Sequence, residues 1–172
     1  MEPDRWEEER RRGLTIDLGF VWTVSDHGPI AFVDVPGHER FVGNMLAGVG
    51  PVPAVLFVVA ADEGWMPQSA EHLTALHALG VRHGVLAVTK TDLMDPDLAV
   101  EEALDQIRGT SLDEIAWVGV SARTGDGLPQ LRAALDDLVA RLPKSEASAP
   151  VRLWVDRGFT IRGAGLVVTG TL

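Results

Sequence analysis

The chain has 172 residues, 46% of them hydrophobic and 23% charged, and a formal net charge of −10, which suits one medium folded domain with a real core plus a small appendage. It contains no cysteine, which excludes disulfides and thiolate metal sites, and its acidic body argues against autonomous nucleic-acid binding, which needs a basic face to neutralise phosphates. Residues 151–172 depart from the rest, with Arg152, Arg157 and Arg162 against Asp156 alone, so this tail is +2 and the remainder −12, as a separate module would be.

The run Trp6-Glu-Glu-Glu-Arg-Arg-Arg12 has no core-forming periodicity and reads as a solvated charged segment, or as the interior of a domain that begins earlier. Thr15–Val24 and Pro29–Asp34 are β-branched and aromatic runs around the polar turn Ser25-Asp26-His27-Gly28, which predicts a hairpin. Helical spacing of Phe41, Met45 and Leu46 predicts a helix over 39–49, and the continuous apolar run Ala54–Ala60 a buried strand. Pro67 suits the first turn of a helix ending at Leu79, with Gly80 as its stop. Then follow strand Val85–Val88, helix Asp97–Arg108, strand Ile115–Val120 and helix Leu128–Leu142. This alternation predicts a parallel α/β sheet. Pro143–Pro150 reads as a Ser/Ala/Pro linker, beyond which Val151–Thr160 and Gly165–Leu172 have strand composition. Two strands are marginal alone in water, so the tail is expected to open a β-barrel. The expected organisation is therefore an α/β domain over 1–143, a linker over 144–150 and the start of a β-domain over 151–172.

Four short motifs fall at predicted strand ends. Asp34 ends a strand, where α/β sheets bind ligands; its carboxylate suits a magnesium ion held through water, and Gly37, lacking Cβ, allows its N–H close to a terminal phosphate. His38 follows directly, placed to orient an attacking water. Asp-x-x-Gly alone also recurs in ordinary turns. In Thr89-Lys90-Thr91-Asp92, the Asp92 carboxylate suits the N1–H and N2–H₂ of guanine, which adenine cannot offer; the Lys90 stem can pack along the base, and Thr89 supplies part of what an amide would. The competing reading of this tetrapeptide is a helix N-cap region. Ser121-Ala122 stands where a backbone N–H would reach guanine O6, and Thr15, otherwise a plain strand residue, offers a hydroxyl to magnesium. Each part is weak, but their order along the chain is that of a GTPase. His72, His77 and His83 are read as surface or boundary histidines, since His72 and His77 lie five apart on a helix and face different ways.

At this point the chain resembles the SelB-type selenocysteine-specific elongation factors of the translational GTPase family. The resemblance rests on Arg12-Gly-Leu-Thr-Ile-Asp-Leu-Gly-Phe20, Asp34-Val-Pro-Gly-His-Glu-Arg-Phe41, Asn44-Met-Leu-Ala-Gly48, Asp62-Glu-Gly-Trp-Met-Pro-Gln68 and Thr89-Lys-Thr-Asp-Leu93, and it extends through the tail from Arg152 to Leu172. It implies a P-loop GTPase-type three-layer α/β domain and a GTP hydrolase that delivers selenocysteinyl-tRNA to the ribosome at a recoded UGA codon. Cytoplasmic location is expected. By motif, Thr15 and Asp34 would serve Mg²⁺, Gly37 the γ-phosphate, His38 the hydrolytic water, and Thr89, Lys90, Asp92, Ser121 and Ala122 the guanine of GTP. A partner mRNA hairpin is implied for the full-length relatives, with RNA contacts mostly outside this chain.

The sequence departs from the family pattern in carrying Thr89 where the guanine motif has Asn, in the expected lack of most of the downstream β-barrels and of the C-terminal RNA-hairpin-binding region, and above all at the phosphate loop. Its lysines are Lys90 and Lys144, and neither follows a glycine, so Gly-x-x-x-x-Gly-Lys-Ser/Thr is not satisfied. The expectation is an N-terminally truncated fragment without the family's first strand, phosphate loop and first helix, with apolar sheet edges such as Val55–Val59 exposed. Two rival readings remain: a non-enzymatic remnant or interaction module without nucleotide turnover, and another elongation-factor-Tu-like GTPase that delivers ordinary aminoacyl-tRNA.

Overall fold

A computed structural model describes residues 18–38, 42–49, 52–143, 150 and 153–171. The charged segment Met1–Arg12, Thr15, the first turn expected at 39–41 and residues 144–149 of the expected linker lie outside them. The described parts of 1–22, 31–52 and 143–172 group into one compact unit, and 23–30 with 53–142 into a second.

In the second unit the apolar runs bounded by turn residues become strands, and the central one is buried on both faces. β3 (Val55–Ala60), β4 (Gly84–Thr89) and β5 (Ala116–Gly119) form a parallel sheet in the order β3-β4-β5. Val85, Leu86 and Val88 of β4 have no exposed surface, so each contributes about 1.5–3 kcal/mol of apolar burial. β3 lies at the edge of this sheet, with Val58 53% exposed while Phe57 and Val59 are buried. Of the expected exposed edge Val55–Val59, Val58 is the exposed side chain, and the opposite edge strand β5 exposes Ala116 and Trp117.

Helices fill the crossovers that parallel strands require. α2 (Pro67–Ala78) opens on Pro67 and buries Leu73 and Leu76. It ends as the sequence predicts: Gly80 adopts φ +71, its N–H donates to His77 O at 3.0 Å, and Val81 N–H donates to Leu76 O at 3.0 Å, the paired bonds of a Schellman stop. α3 (Asp97–Ile107) buries Ala99, Val100, Ala103 and Ile107 and lies beside β3, and α4 (Leu128–Arg141) lies against β4 and β5.

β1 (Gly19–Ser25) and β2 (Gly28–Asp34) pair through a two-residue turn, Asp26-His27, shorter than the four-residue turn expected. Ser25 Oγ donates to Gly28 O at 2.9 Å and accepts from His27 N at 3.1 Å, and Gly28 takes φ +122. The hydroxyl closes the turn and the glycine supplies the backbone angle, so both flanking residues join the strands. α1 (Val42–Val49) follows in the first unit, with Met45 buried. In the tail, β6 (Trp154–Ile161) and β7 (Gly165–Thr171) form an antiparallel pair with an irregularity between Val155 and Arg157. Val155, Phe159, Ile161, Leu166 and Val168 of this pair are exposed, although α1 lies beside β6.

Among the described glycines Gly127 is the one least able to change, because it takes φ +74 and an added Cβ would collide with the Gly119 carbonyl oxygen that leads out of β5. Gly125 has φ +86 but open space around it. Gly125→Ala is expected to cost about 1–2 kcal/mol for its left-handed backbone alone, and Gly127→Ala clearly more, as compared by urea unfolding.

Candidate functional site

Parallel pairing brings the carboxyl ends of β3, β4 and β5 to one edge of the sheet. The last pairs are Ala60 with Thr89 and Val88 with Gly119, and three further backbone bonds carry the alignment past the strands. Ala61 N–H donates to Thr89 O at 2.8 Å, Val120 N–H to Val88 O at 2.8 Å, and Thr91 N–H to Val120 O at 3.3 Å. The loops at 61–66, 89–94 and 120–126 are therefore fixed to one another at their roots.

The loop after β4 turns at Lys90, which has φ +59, a backbone state costing a non-glycine residue on the order of 1–3 kcal/mol. Leu93 and Met94 donate to its carbonyl at 2.9 and 3.4 Å, closing the turn that carries Asp92. Helix α3 starts five residues after Asp92, with Asp97 N–H bound to Asp95 Oδ1 at 3.0 Å, so the tetrapeptide 89–92 is a strand-end turn and not a helix cap. The Thr89 hydroxyl donates across the sheet to Val59 O at 3.3 Å.

Asp92 is oriented by the loop after β5. Ser121 is fully buried, and its hydroxyl donates to Asp92 Oδ1 at 2.6 Å while accepting from Thr124 N–H at 3.1 Å. The Asp92 side chain is 13% exposed, and its Oδ2 lies 3.6 Å from Nη1 of the exposed Arg123. The Ser121 hydroxyl, helped by the backbone N–H of Asp92 and by Arg123, holds this carboxyl below the usual range against the opposing effect of burial, because each hydrogen bond favours the ionised form. Ser121's own N–H is committed to Asp126 O at 2.9 Å, whereas Ala122 stands exposed on the same turn. Thr124 Oγ1 braces the turn from below by donating to Asp126 Oδ2 at 2.7 Å.

Lys90 Nζ meets two acids from the loop after β3. It lies 3.0 Å from Asp62 Oδ1 and 2.8 Å from Glu63 Oε1. The hydrogen bonds that it donates to Glu63 and then to Asp62 hold the ammonium above its usual range. The sequence motif Asp62–Gln68 contains both acids, but nothing local indicates that they grip Lys90. Arg123, which faces Asp92, also carries no signal of its own in the sequence.

Asp34, Gly37 and His38 lie in the first unit. Asp34 is the last residue of β2 and half-buried, Pro36 is buried, and Gly37 is exposed with open space where a Cβ would stand. The strand-to-loop passage is held by α1: a Cβ on Gly48 would come within 2.7 Å of Val35 Cγ1, 2.8 Å of Leu18 Cδ2 and 3.2 Å of Val33 Cγ1. A glycine there lets the helix pack directly on the segment leading to Asp34 and Pro36. Among the described residues no group of three or more His, Asp or Glu side chains is arranged to hold a metal. His77 Nδ1 instead accepts from Ser111 N–H at 2.9 Å, and burial lowers the pKa of His72. No described helix is long and apolar enough to cross a membrane.

A parallel α/β sheet whose adjacent strands end in Thr-Lys-Thr-Asp and Ser-Ala loops has the form of a nucleotide-binding domain of the GTPase class. Residues 1–141 match the model of the elongation factor Tu GTP binding domain, and the chain belongs to that family of translational GTPases. Within it the chain is similar to selenocysteine-specific elongation factors. It is 45% identical to that of Desulfomicrobium baculatum and 43% identical to that of Escherichia coli K12, each over 98% of this chain but only 27% and 28% of the relative. A solved bacterial selenocysteine-specific elongation factor, EF-Sec, superposes with a TM-score of 0.87 at 35% identity, covering 99% of this chain and 30% of that one. The factor SelB from Methanococcus maripaludis, solved with the GTP analogue GppNHp, superposes at 0.79 with 26% identity over 91% of this chain and 36% of that one. The chain thus spans about a quarter to a third of the length of these relatives.

Because the Ser121 hydroxyl is the first cause of the low Asp92 pKa, Ser121→Ala should raise that pKa toward the ordinary carboxylate value of about 3.9. A depressed folded pKa stabilises above the unfolded value, and the contribution is lost as pH falls through the folded pKa. The destabilisation by Ser121→Ala should therefore be full at neutral pH and shrink in acid, as read by NMR titration of the Asp92 carboxyl and by denaturation at both pH values.

Proposed function

We propose that the edge formed by residues 89–92 and 121–122 recognises the guanine of GTP, and that the intact protein is a GTP-dependent elongation factor delivering selenocysteinyl-tRNA to the ribosome at a recoded UGA codon. The observation that carries the first part is the Asp92 carboxylate, kept ionised and aimed by Ser121. An ionised carboxylate is acceptor-only, so it accepts from guanine N1–H and N2–H₂ and finds an acceptor at N1 of adenine. Ala122 N–H is the donor available to guanine O6, since the Ser121 N–H is engaged with Asp126. Lys90 lends its stem to the base plane while its ammonium stays with Asp62 and Glu63, and Thr89, whose hydroxyl faces Val59, supports the turn from the strand.

Asp34, at the end of β2, together with Thr15 would hold Mg²⁺, which supplies charge neutralisation at the β- and γ-phosphates when bound. The half-buried carboxylate position and the steric opening at Gly37 fit that role. Gly37 would bring its N–H to the γ-phosphate, and His38, one residue on, would orient the hydrolytic water. The similarity to selenocysteine-specific factors extends through the β6–β7 tail, which supports an expected organisation of a GTP-binding domain over 1–143, a linker over 144–150 and the start of a second domain over 151–172. The acidic body argues for contacts with tRNA, ribosome and an mRNA hairpin that lie mostly outside this chain, and the proposed role in translation implies a cytoplasmic protein.

Two outcomes test this reading. Exchanging Asp92 for Asn replaces one acceptor by a donor, so Asp92→Asn should lose guanine binding by about 10–100-fold and gain binding of xanthine, whose C2 carbonyl accepts that donor; a titration with GMP, AMP and XMP reads both. The 172-residue polypeptide contains no Gly-Lys pair, and a lysine with its glycine-rich loop is the usual counter-charge for the β- and γ-phosphates. Assayed alone under single-turnover conditions, it should hydrolyse GTP no faster than buffer, and hydrolysis abolished by His38→Ala would overturn that expectation.

A further inference from the structure

The carboxylate of Glu102, on α3, occupies a position that the reading of residues 89–92 leaves without a role. Its Oε2 accepts the N–H of Trp65 at 3.0 Å, tying α3 to the loop after β3 across 37 residues of sequence. An exposed glutamate on a helix ordinarily keeps its rotamer freedom, so a bond to a distant backbone N–H requires that the loop present it. Gly64 provides this by taking φ +66, and a Cβ there would lie 2.9 Å from Glu102 Oε2. Glycine suits the backbone angle, and an added Cβ would push the flexible Glu102 carboxylate aside.

The rest of the loop is held equally firmly. Glu63 and Gly64 both donate their N–H groups to Ala60 O, at 3.2 and 2.9 Å. The Trp65 ring stacks on the buried Phe57 of β3, with centroids 5.5 Å apart and planes 6° from parallel. Between these anchors Asp62 and Glu63 project their carboxylates to Lys90 Nζ. The Lys90 side chain is 40% exposed, and exposed ion pairs with mobile partners contribute little. This pairing holds its geometry because the backbone bearing both acids is fixed.

We propose that Glu102 is a positioning residue for nucleotide recognition: by fixing the Gly64–Trp65 peptide it sets Asp62 and Glu63, which hold Lys90 and with it the turn that carries Asp92. The inference rests on the reading that residues 89–92 meet the guanine. The coupling runs through Lys90, whose carbonyl accepts from Leu93 and Met94 and whose backbone is left-handed. Releasing its ammonium frees the one non-glycine residue at which this turn is strained.

The test uses the full 172-residue chain, with two readouts: the NMR signal and hydrogen-exchange protection of the Lys90 ammonium, and titration with GMP against AMP. Glu102→Ala should remove the ammonium protection and weaken GMP binding about fivefold, the upper range for a surface ion pair held in place, with thermal unfolding little changed. Glu102→Gln should keep both properties, since its amide oxygen accepts the same N–H. Gly64→Ala, which crowds the same oxygen, should reproduce Glu102→Ala, and the double variant should be no worse than either single one. An unchanged Lys90 signal in Glu102→Ala, or Glu102→Gln behaving like Glu102→Ala, would overturn the proposal. If the unsubstituted chain shows no preference for GMP over AMP, the guanine reading fails on its own, and the Lys90 signal still decides whether Glu102 positions the lysine.

Discussion

The second unit depends on one strand. β4 is buried along five of its six residues and pairs in parallel on both sides, so its position is over-determined by apolar burial and by two hydrogen-bonded ladders. A parallel neighbour on each side has one chemical consequence: all three strands release their chains at the same edge. Asp62 and Glu63 from the loop after β3, Lys90 and Asp92 from the loop after β4, and Ser121 from the loop after β5 meet there although they are up to 59 residues apart in the sequence. The site is accurate because the sheet beneath it cannot slip, since a shift of one residue would invert every buried side chain of β4.

Local strain and local charge at this edge explain each other. The left-handed backbone at Lys90 is unfavourable for a lysine taken alone, and it persists because the surroundings fix both ends of the residue. Its carbonyl closes the following turn and its ammonium is held by two carboxylates. Asp92 next door is organised by a different device, a buried hydroxyl that gives one hydrogen bond and takes another. Lysine and aspartate thus arrive at the same opening with complementary supports, the turn at Lys90 placing the Asp92 backbone and the Ser121 hydroxyl aiming its carboxylate.

How much of this was legible in the sequence followed the range of the interaction responsible. The helices and the parallel sheet follow from apolar periodicity, and the end of α2 from a single glycine, because those signals act within a few residues. The four-residue hairpin turn expected at 25–28 proved shorter, since the Ser25 hydroxyl and Gly28 let both flanking residues join strands. The positions of Asp92 and of the Ser121-Ala122 loop could be read because each sits just past a predictable strand. The grip of Asp62 and Glu63 on Lys90 and the bond from Trp65 to Glu102 could not, since partners 27–37 residues apart leave no periodicity behind. Thr89 illustrates the same limit: its place in the motif was plain, but the choice of its hydroxyl for Val59 O depends on the neighbouring strand.

Counting the charges at the edge separates two tasks that a nucleotide poses. Lys90 and Arg123 face Asp62, Glu63 and Asp92, which leaves the cluster with one net negative charge. Such a group favours donors like the N–H groups of a purine and disfavours a polyphosphate, which needs backbone N–H groups and uncommitted cations. The ammonium of Lys90, already bound to two acids, is poorly placed to neutralise phosphate without giving up contacts that hold it. On the proposed reading, base selection and phosphate binding would be distinct functions of distinct parts of the fold, with the edge built on β4 serving the first.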